Sequence, residues 1–191
     1  MFQRLLKKIG KSLDTRRIPY MVIGGQAVLL YGEPRLTKDI DITLGVGIDR
    51  LGDMKALVNR LRLGYLTEDV DTFVRETMVM PVIEEKSGIR VDFIFSFSPY
   101  EKQAIERAKA VLFGKTPIKF AALEDVVIHK VIAGRPRDIE DVESILIKNP
   151  GYDPHYIQKW LAEFDAALDK KFLGTFLGLI KKLKSGRPGA F

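Results

Sequence analysis

Residues 39–44 read Asp-Ile-Asp-Ile-Thr-Leu, and they constrain the fold more tightly than any other stretch of the chain. Side chains in a strand point alternately to opposite faces, so Asp39, Asp41 and Thr43 share one face and Ile40, Ile42 and Leu44 the other. The isoleucine face asks for a cover of helices. The aspartate face carries two carboxylates one pleat apart, which repel each other unless a cation lies between them. A one-sided sheet satisfies both demands.

The rest of the chain supplies such a sheet. Periodicity predicts a helix over 3–14, a short strand over 20–23 closed by Gly24-Gly25, and a helix over 26–31 stopped by Gly32 and Pro34. The acidic strand over 38–44 and a helix over 50–63 come next. Residues 72–84 and 89–95 read as two β-rich runs joined by the turn Glu85-Lys86-Ser87-Gly88. A helix over 100–110 and a short strand or two over 111–120, around Gly114 and Pro117, complete this half. From Ala122 the pattern is helical, over 122–133, 138–147, 154–166 and 169–183, and the tail SGRPGAF is expected to be disordered. Strands and helices followed by helices alone predict an α+β fold. Residues 1–120 form a small mixed β-sheet flanked by helices, and 121–191 an all-helical C-terminal region packed on it.

Composition narrows the setting. Of the 191 residues 46% are hydrophobic and 29% charged, the balance of a soluble globular protein. The absence of cysteine excludes disulfides and thiolate metal sites and fits a reducing cytoplasm. The longest apolar run, 172–180, is far short of the roughly 20 residues that cross a bilayer. The N-terminus lacks the apolar core of a signal peptide, so a cytoplasmic protein with no membrane partner is expected. A net charge of +6 favours polyanionic partners.

Hard oxygen ligands spaced like Asp39 and Asp41 suit Mg²⁺, which takes few carboxylates together with water and substrate phosphates. A second apolar strand, Arg90-Val91-Asp92-Phe93-Ile94-Phe95, bears a single acid that is poorly placed unless paired or ligated. If the two strands are neighbours, three carboxylates converge, as a two-metal phosphoryl-transfer site requires. Gly24 and Gly25 let the backbone approach a ligand closely, and the helix start behind them offers free N–H groups to a phosphate. Each feature also has a plainer reading: an acidic outer face, an aspartate satisfied by Arg90, a tight turn.

In combination these residues resemble the nucleotidyltransferase (polymerase-β-like) superfamily, whose signature is Gly-Gly or Gly-Ser, then Asp-x-Asp, then a distant third acid. The run from Gly24 through Arg35 and Thr37 to Ile42 is similar to compact prokaryotic members, including the AbiEii toxin group of toxin–antitoxin pairs. Lys130 to Val142 resembles the same group's Lys-x-x-Ala-x-Arg-x-(Lys/Arg)-Asp-x-x-Asp segment. The resemblance covers roughly residues 20–146 and implies roles. Asp39, Asp41 and Asp92 would hold two Mg²⁺ ions, with Mn²⁺ as a substitute, and Asp92 would take the proton of an attacking hydroxyl. Gly24 and Gly25 would cradle the triphosphate, with Arg35, Thr37, Arg135 and Asp138 completing the nucleotide site. Lys130 would neutralise the phosphates from the helical half. Family members often carry Ser where this chain has Gly25, which leaves backbone contacts alone at that position.

The implied activity is transfer of an NMP from an NTP to a hydroxyl of RNA or protein, with a cognate protein partner if the chain belongs to a toxin–antitoxin pair. Alternatives remain at this level. The chain could be a non-catalytic nucleotide- or RNA-binding module of the same fold. DIDIT also matches the Asp-x-Asp-x-Thr pattern of a phosphatase, but a long apolar strand before it and a later acid pair are missing. Lys130 reads equally as a snorkelling surface lysine. Asp138 could be a helix N-cap and Asp141 a first-turn acid. Arg35 and Thr37 could be plain loop residues, or Arg35 the charge partner of the acids. His129 reads as a core or boundary residue.

Overall fold

The computed structural model describes residues 2–34, 36–37, 39–96 and 98–185. Its first helix, α1 (Phe2–Thr15), buries Leu5, Leu6, Ile9 and Leu13, one stripe at helical spacing. Each such side chain removed from water contributes about 1.5–3 kcal/mol. Gly10 lies on the same stripe, where a Cβ would come within 2.7 Å of the Tyr20 hydroxyl and 2.5 Å of Ile118 Cδ1. Any larger residue here would force the Ile118 and Tyr20 side chains to move.

The chain divides into two units. The first comprises the described residues within Met1–Ala27 and Leu36–Ala122. After α1 come β1 (Tyr20–Ile23) and α2 (Gly24–Tyr31), whose first four residues belong here, then β2 (Asp39–Leu44), α3 (Leu51–Leu61) and β3 (Gly64–Tyr65). They are followed by α4 (Val70–Thr77), β4 (Val79–Glu84), β5 (Ile89–Phe95), α5 (Pro99–Glu106), β6 (Lys109–Phe113) and β7 (Thr116–Phe120). Among the described residues the strands form one mixed sheet in the order β3-β4-β5-β2-β1-β7-β6. β2 is central, antiparallel to β1 and parallel to β5. Ile40, Ile42 and Leu44 are buried together with Val91, Phe93 and Phe95, so the apolar faces of β2 and β5 are continuous, as the alternation predicts.

Residues 72–77 depart from expectation. They are helical, not extended, although Thr, Phe and Val favour strands. Asp69 caps the helix, its carboxylate accepting from the Thr72 amide at 3.1 Å, and Val70 and Val74 bury one turn apart. The capped turn outweighs the β propensity. The short strand β3 was not anticipated, and helix α5 ends at Glu106 where β6 takes over from Lys109.

The second unit comprises the described residues within Val28–Arg35 and Leu123–Phe191. It contains the end of α2 and α6 (Leu123–Ala133), α7 (Pro136–Lys148), α8 (Pro154–Leu168) and α9 (Phe172–Ser185). Val127, Ile128, Val142, Ile145, Ile157, Leu161 and Phe176 form its core. The Asn149 amide donates to the Tyr31 carbonyl at 2.8 Å and fastens the end of α2 to the end of α7. Apart from Ser185, the tail expected to be disordered lies outside the described residues. No described helix is long and apolar enough to cross a membrane.

Candidate active site

The condition set by the sequence, that the two acid-bearing strands be neighbours, is met. In the parallel β2–β5 ladder Asp41 stands opposite Asp92 and Asp39 opposite Arg90. Paired residues share a face, so the three carboxylates and Arg90 line one side of the sheet at one end of its two central strands. Asp39 is exposed, and Asp41 and Asp92 are half-buried.

Asp92 sits in the least comfortable position. Its Oδ1 is buried and has no hydrogen-bond partner among the described residues. An unsatisfied buried acceptor costs about 1–3 kcal/mol, and more when charged. Burial pushes the Asp92 carboxyl above the usual carboxylate range; Arg90 opposes the rise and Asp39 adds to it. This face attracts positive charge. Thr43, the next residue along it, is also buried with no partner for its hydroxyl among the described residues.

On the other side of β2, Asp41 is level with Ile23, the last residue of β1. Gly24 follows with φ +63, and a Cβ there would lie 2.8 Å from the Asp41 carboxyl carbon. Both the left-handed backbone and the close approach exclude a side chain. Helix α2 begins at this glycine, so Gly24 and Gly25 sit inside its first turn, two residues earlier than the periodicity suggests. The first-turn amides of a helix have no partner within it and carry the positive end of its dipole. The Gln26 side-chain amide donates to the Thr37 hydroxyl, which ties the approach to β2 back to the start of α2. Arg35 lies outside the described residues.

The donors fit a hard divalent cation. All are oxygens, one is buried without a partner, and a Cβ-free cradle adjoins another. Register brings the acids to one face and not onto one point: among the described residues no three carboxylate or imidazole groups are already gathered at metal-ligand spacing.

Lys130, Arg135 and Asp138 belong to the second unit, where they form a cluster that sequence reasoning did not foresee. Lys130 is only 5% exposed. Its ammonium lies 2.5 Å from Asp138 Oδ1 and 2.9 Å from Asp141 Oδ2, so it does not snorkel. Arg135 reaches Asp138 Oδ2 at 2.6 Å. Helix α7 starts at Pro136 with Arg135 at the N-cap, so Asp138 is not a capping residue. Burial pushes Asp138 upward, but hydrogen bonds from Arg135 and Lys130 and their charges outweigh it and hold the carboxyl below the ordinary range. His129, on the same helix as Lys130, is half-buried, and desolvation of its ring pushes the imidazole down to about 4.

A mixed sheet with helices, a glycine-started helix beside a central Asp-x-Asp strand and a third acid on the neighbouring strand define a nucleotidyltransferase-like fold. The chain belongs to the family described as "Nucleotidyltransferase of unknown function (DUF6036)", whose model matches residues 1–151. Solved structures agree on the fold. The solution structure of the antibiotic-resistance factor ANT(2″)-Ia is 18% identical with a TM-score of 0.58, the match covering 86% of this chain and 91% of that one. The crystal structure of ANT(2″)-Ia with adenylyl-2″-tobramycin matches at the same identity and score over 86% and 97%. An antigenic nucleotidyltransferase-like protein from Paracoccidioides brasiliensis is 15% identical with a TM-score of 0.55, over 95% and 91%. No curated protein matches the chain.

Proposed function

We propose that the protein transfers an NMP from an NTP to a hydroxyl, releasing pyrophosphate, with Mg²⁺ held by Asp39, Asp41 and Asp92. One observation carries the reading: the register that sets Asp41 against Asp92, whose buried Oδ1 has no partner among the described residues. When bound, the cation neutralises the triphosphate charge and lowers the cost of forming the pentavalent phosphorus transition state. The protein's own groups do the rest. The amides of Gly24 and Gly25 hold phosphate oxygens at the start of α2. Asp41, confined by Ile23, Asp92 and Gly24, keeps one orientation toward them. The Asp92 carboxylate accepts the proton of the incoming hydroxyl. Thr37, held by Gln26, orders the loop before β2, with Arg35 as a phosphate contact. Lys130, Arg135 and Asp138 form an ion cluster within the helical unit, and their first service is to that unit.

Most of the barrier is then lowered by positioning and charge neutralisation. The acceptor in this reading is RNA or a protein, and a cognate antitoxin partner would place the chain in a toxin–antitoxin pair. Four α-labelled NTPs, each incubated with Mg²⁺ and total cellular RNA or protein, test it. Label entering a macromolecule with release of pyrophosphate supports the transfer. NTP binding without any label transfer would hand the site to a non-catalytic module, and a phosphorylated Asp39 would hand it to a phosphatase.

A further inference from the structure

A second charged surface lies in the first unit, on the helix-covered side of the sheet. A groove of about 680 Å³ is bounded by α1, the end of α3 and the β4–β5 turn. Arg4, Lys8, Arg60, Arg62 and Lys86 line it, against two acids, Glu84 and Glu85. Residues from three separate segments of the chain thus place a net +3 (five cations less two carboxylates) around one concavity.

The groove is built, and its charge is left uncompensated. Glu84 is 8% exposed, accepts from the Ser87 hydroxyl at 2.6 Å and lies 4.0 Å from the Arg4 guanidinium, so it fixes the turn and holds Arg4 at the rim. Lys8, Arg60, Arg62 and Lys86 are exposed, and among the described residues none of them makes a salt bridge. Arg62 caps α3 at φ +56, a left-handed position that glycine or asparagine fills more cheaply. Four unpaired cations facing a shared cavity favour a ligand with several negative charges in a row.

The Glu84 wall of the groove belongs to the apolar face of the sheet, opposite the face of the acids. Glu84 is level with Ile89, Arg90 with Asp39, and Asp92 lies three residues further along β5.

We infer that this groove binds the phosphodiester backbone of a nucleic acid that serves as the acceptor. The inference rests on the transfer reading and names its acceptor as a nucleic acid and not a protein. Four backbone contacts to a single strand give a salt slope of about −2.8, or roughly a fiftyfold loss of affinity between 50 and 200 mM salt.

The test is fluorescence anisotropy of a labelled 20-nucleotide RNA, DNA of the same sequence and a polyglutamate peptide, titrated with the full-length protein over that salt range. The triple variant Arg60→Gln/Arg62→Gln/Lys86→Gln should weaken RNA binding at 50 mM salt at least about tenfold and flatten the slope to about −0.7. Glu85→Gln, which removes an acid from the rim, should tighten binding about twofold. RNA bound more tightly than DNA assigns the acceptor to RNA, and equal binding assigns the groove to either backbone. Polyglutamate bound as tightly as the oligonucleotides, or a triple variant indistinguishable from wild type, overturns the proposal. Asp41→Asn separates the two readings. It should bind RNA as wild type does, so lost transfer with intact RNA binding speaks to the acids alone. Transfer that persists with no groove-dependent binding sinks only the groove.

Discussion

Replacing Lys130 by methionine tests the most heavily engaged cation of the helical unit. The side chain is almost fully buried, its ammonium between Asp138 and Asp141, which are themselves 2% and 5% exposed. The cluster balances: Lys130 and Arg135 contribute +2, Asp138 and Asp141 −2. Arg135 has a 75% exposed side chain, and solvent screens most of its contribution. Methionine matches the lysine stem in length, so packing changes little and the electrostatic loss dominates. Removing one member of a buried ion pair leaves uncompensated buried charge and costs about 3–5 kcal/mol. A snorkelling lysine would cost less than about 0.5 kcal/mol.

The assay is urea unfolding followed by circular dichroism, with a constant m-value required for the comparison. Lys130→Met/Asp138→Asn should recover part of the loss, because one orphaned carboxylate becomes neutral, and the cycle gives the coupling. Asp138 is held low by its partners, so its contribution is present above the unfolded carboxylate range and is lost as pH falls through its native value. In Lys130→Met that loss should begin at higher pH. A single variant within about 0.5 kcal/mol of wild type, with no coupling in the cycle, would refute the cluster's structural role. Calorimetric titration of NTP against the folded variant then reports any separate part in nucleotide binding.

Asp41→Asn keeps the shape of β2 but removes a hard anionic ligand, so transfer should fall at least about a hundredfold with stability unchanged or raised; near-normal turnover would remove the acids from the mechanism. Gly24→Ala should cost about 1–3 kcal/mol in backbone strain and push the Asp41 carboxylate aside, losing Mg²⁺-dependent NTP binding as well; an alanine variant with wild-type stability would contradict the geometry at the start of α2. His129 is neutral in the folded chain, at about 4 against an ordinary 6.5, so the unfolded chain binds the extra proton first and stability falls as pH drops from about 6.5 toward 4. Its share is about 2–3 kcal/mol between pH 7 and 4.5, read from denaturant unfolding of wild type and His129→Leu at both pH values; parallel pH curves for the two would exclude it.

The sheet's centre was legible because alternation in 39–44 and 89–95 is unambiguous. Adjacency of the two acid strands could be stated only as a condition, since parallel pairing joins residues some fifty positions apart and leaves no local trace. The helix at 70–77 was hidden because its decisive interaction is one capping bond from Asp69, while its letters favour a strand. The Lys130 cluster went unforeseen for another reason. Its members are spread over two helices and a turn, and burial of a lysine is decided by what packs above it. The basic groove draws on residues 4, 8, 60, 62 and 86, a grouping that only the folded chain makes visible.

Asp39 and Asp41 also have a part to play before any substrate arrives. β2 is hydrogen-bonded on both sides, to β1 and to β5, and its apolar face is sealed by helices. Sliding such a strand by one residue exchanges its faces. It would drive both carboxylates into the hydrocarbon interior and turn isoleucines out onto the acid face. An isolated ionised group transferred to such a place costs many times the stability of a typical domain. The acids therefore act as a ratchet during folding, permitting one alignment of the central strand and penalising its nearest competitors. A chain whose two aspartates were exchanged for apolar residues would lose this check as well as its chemistry, and misaligned sheets would become thermodynamically accessible.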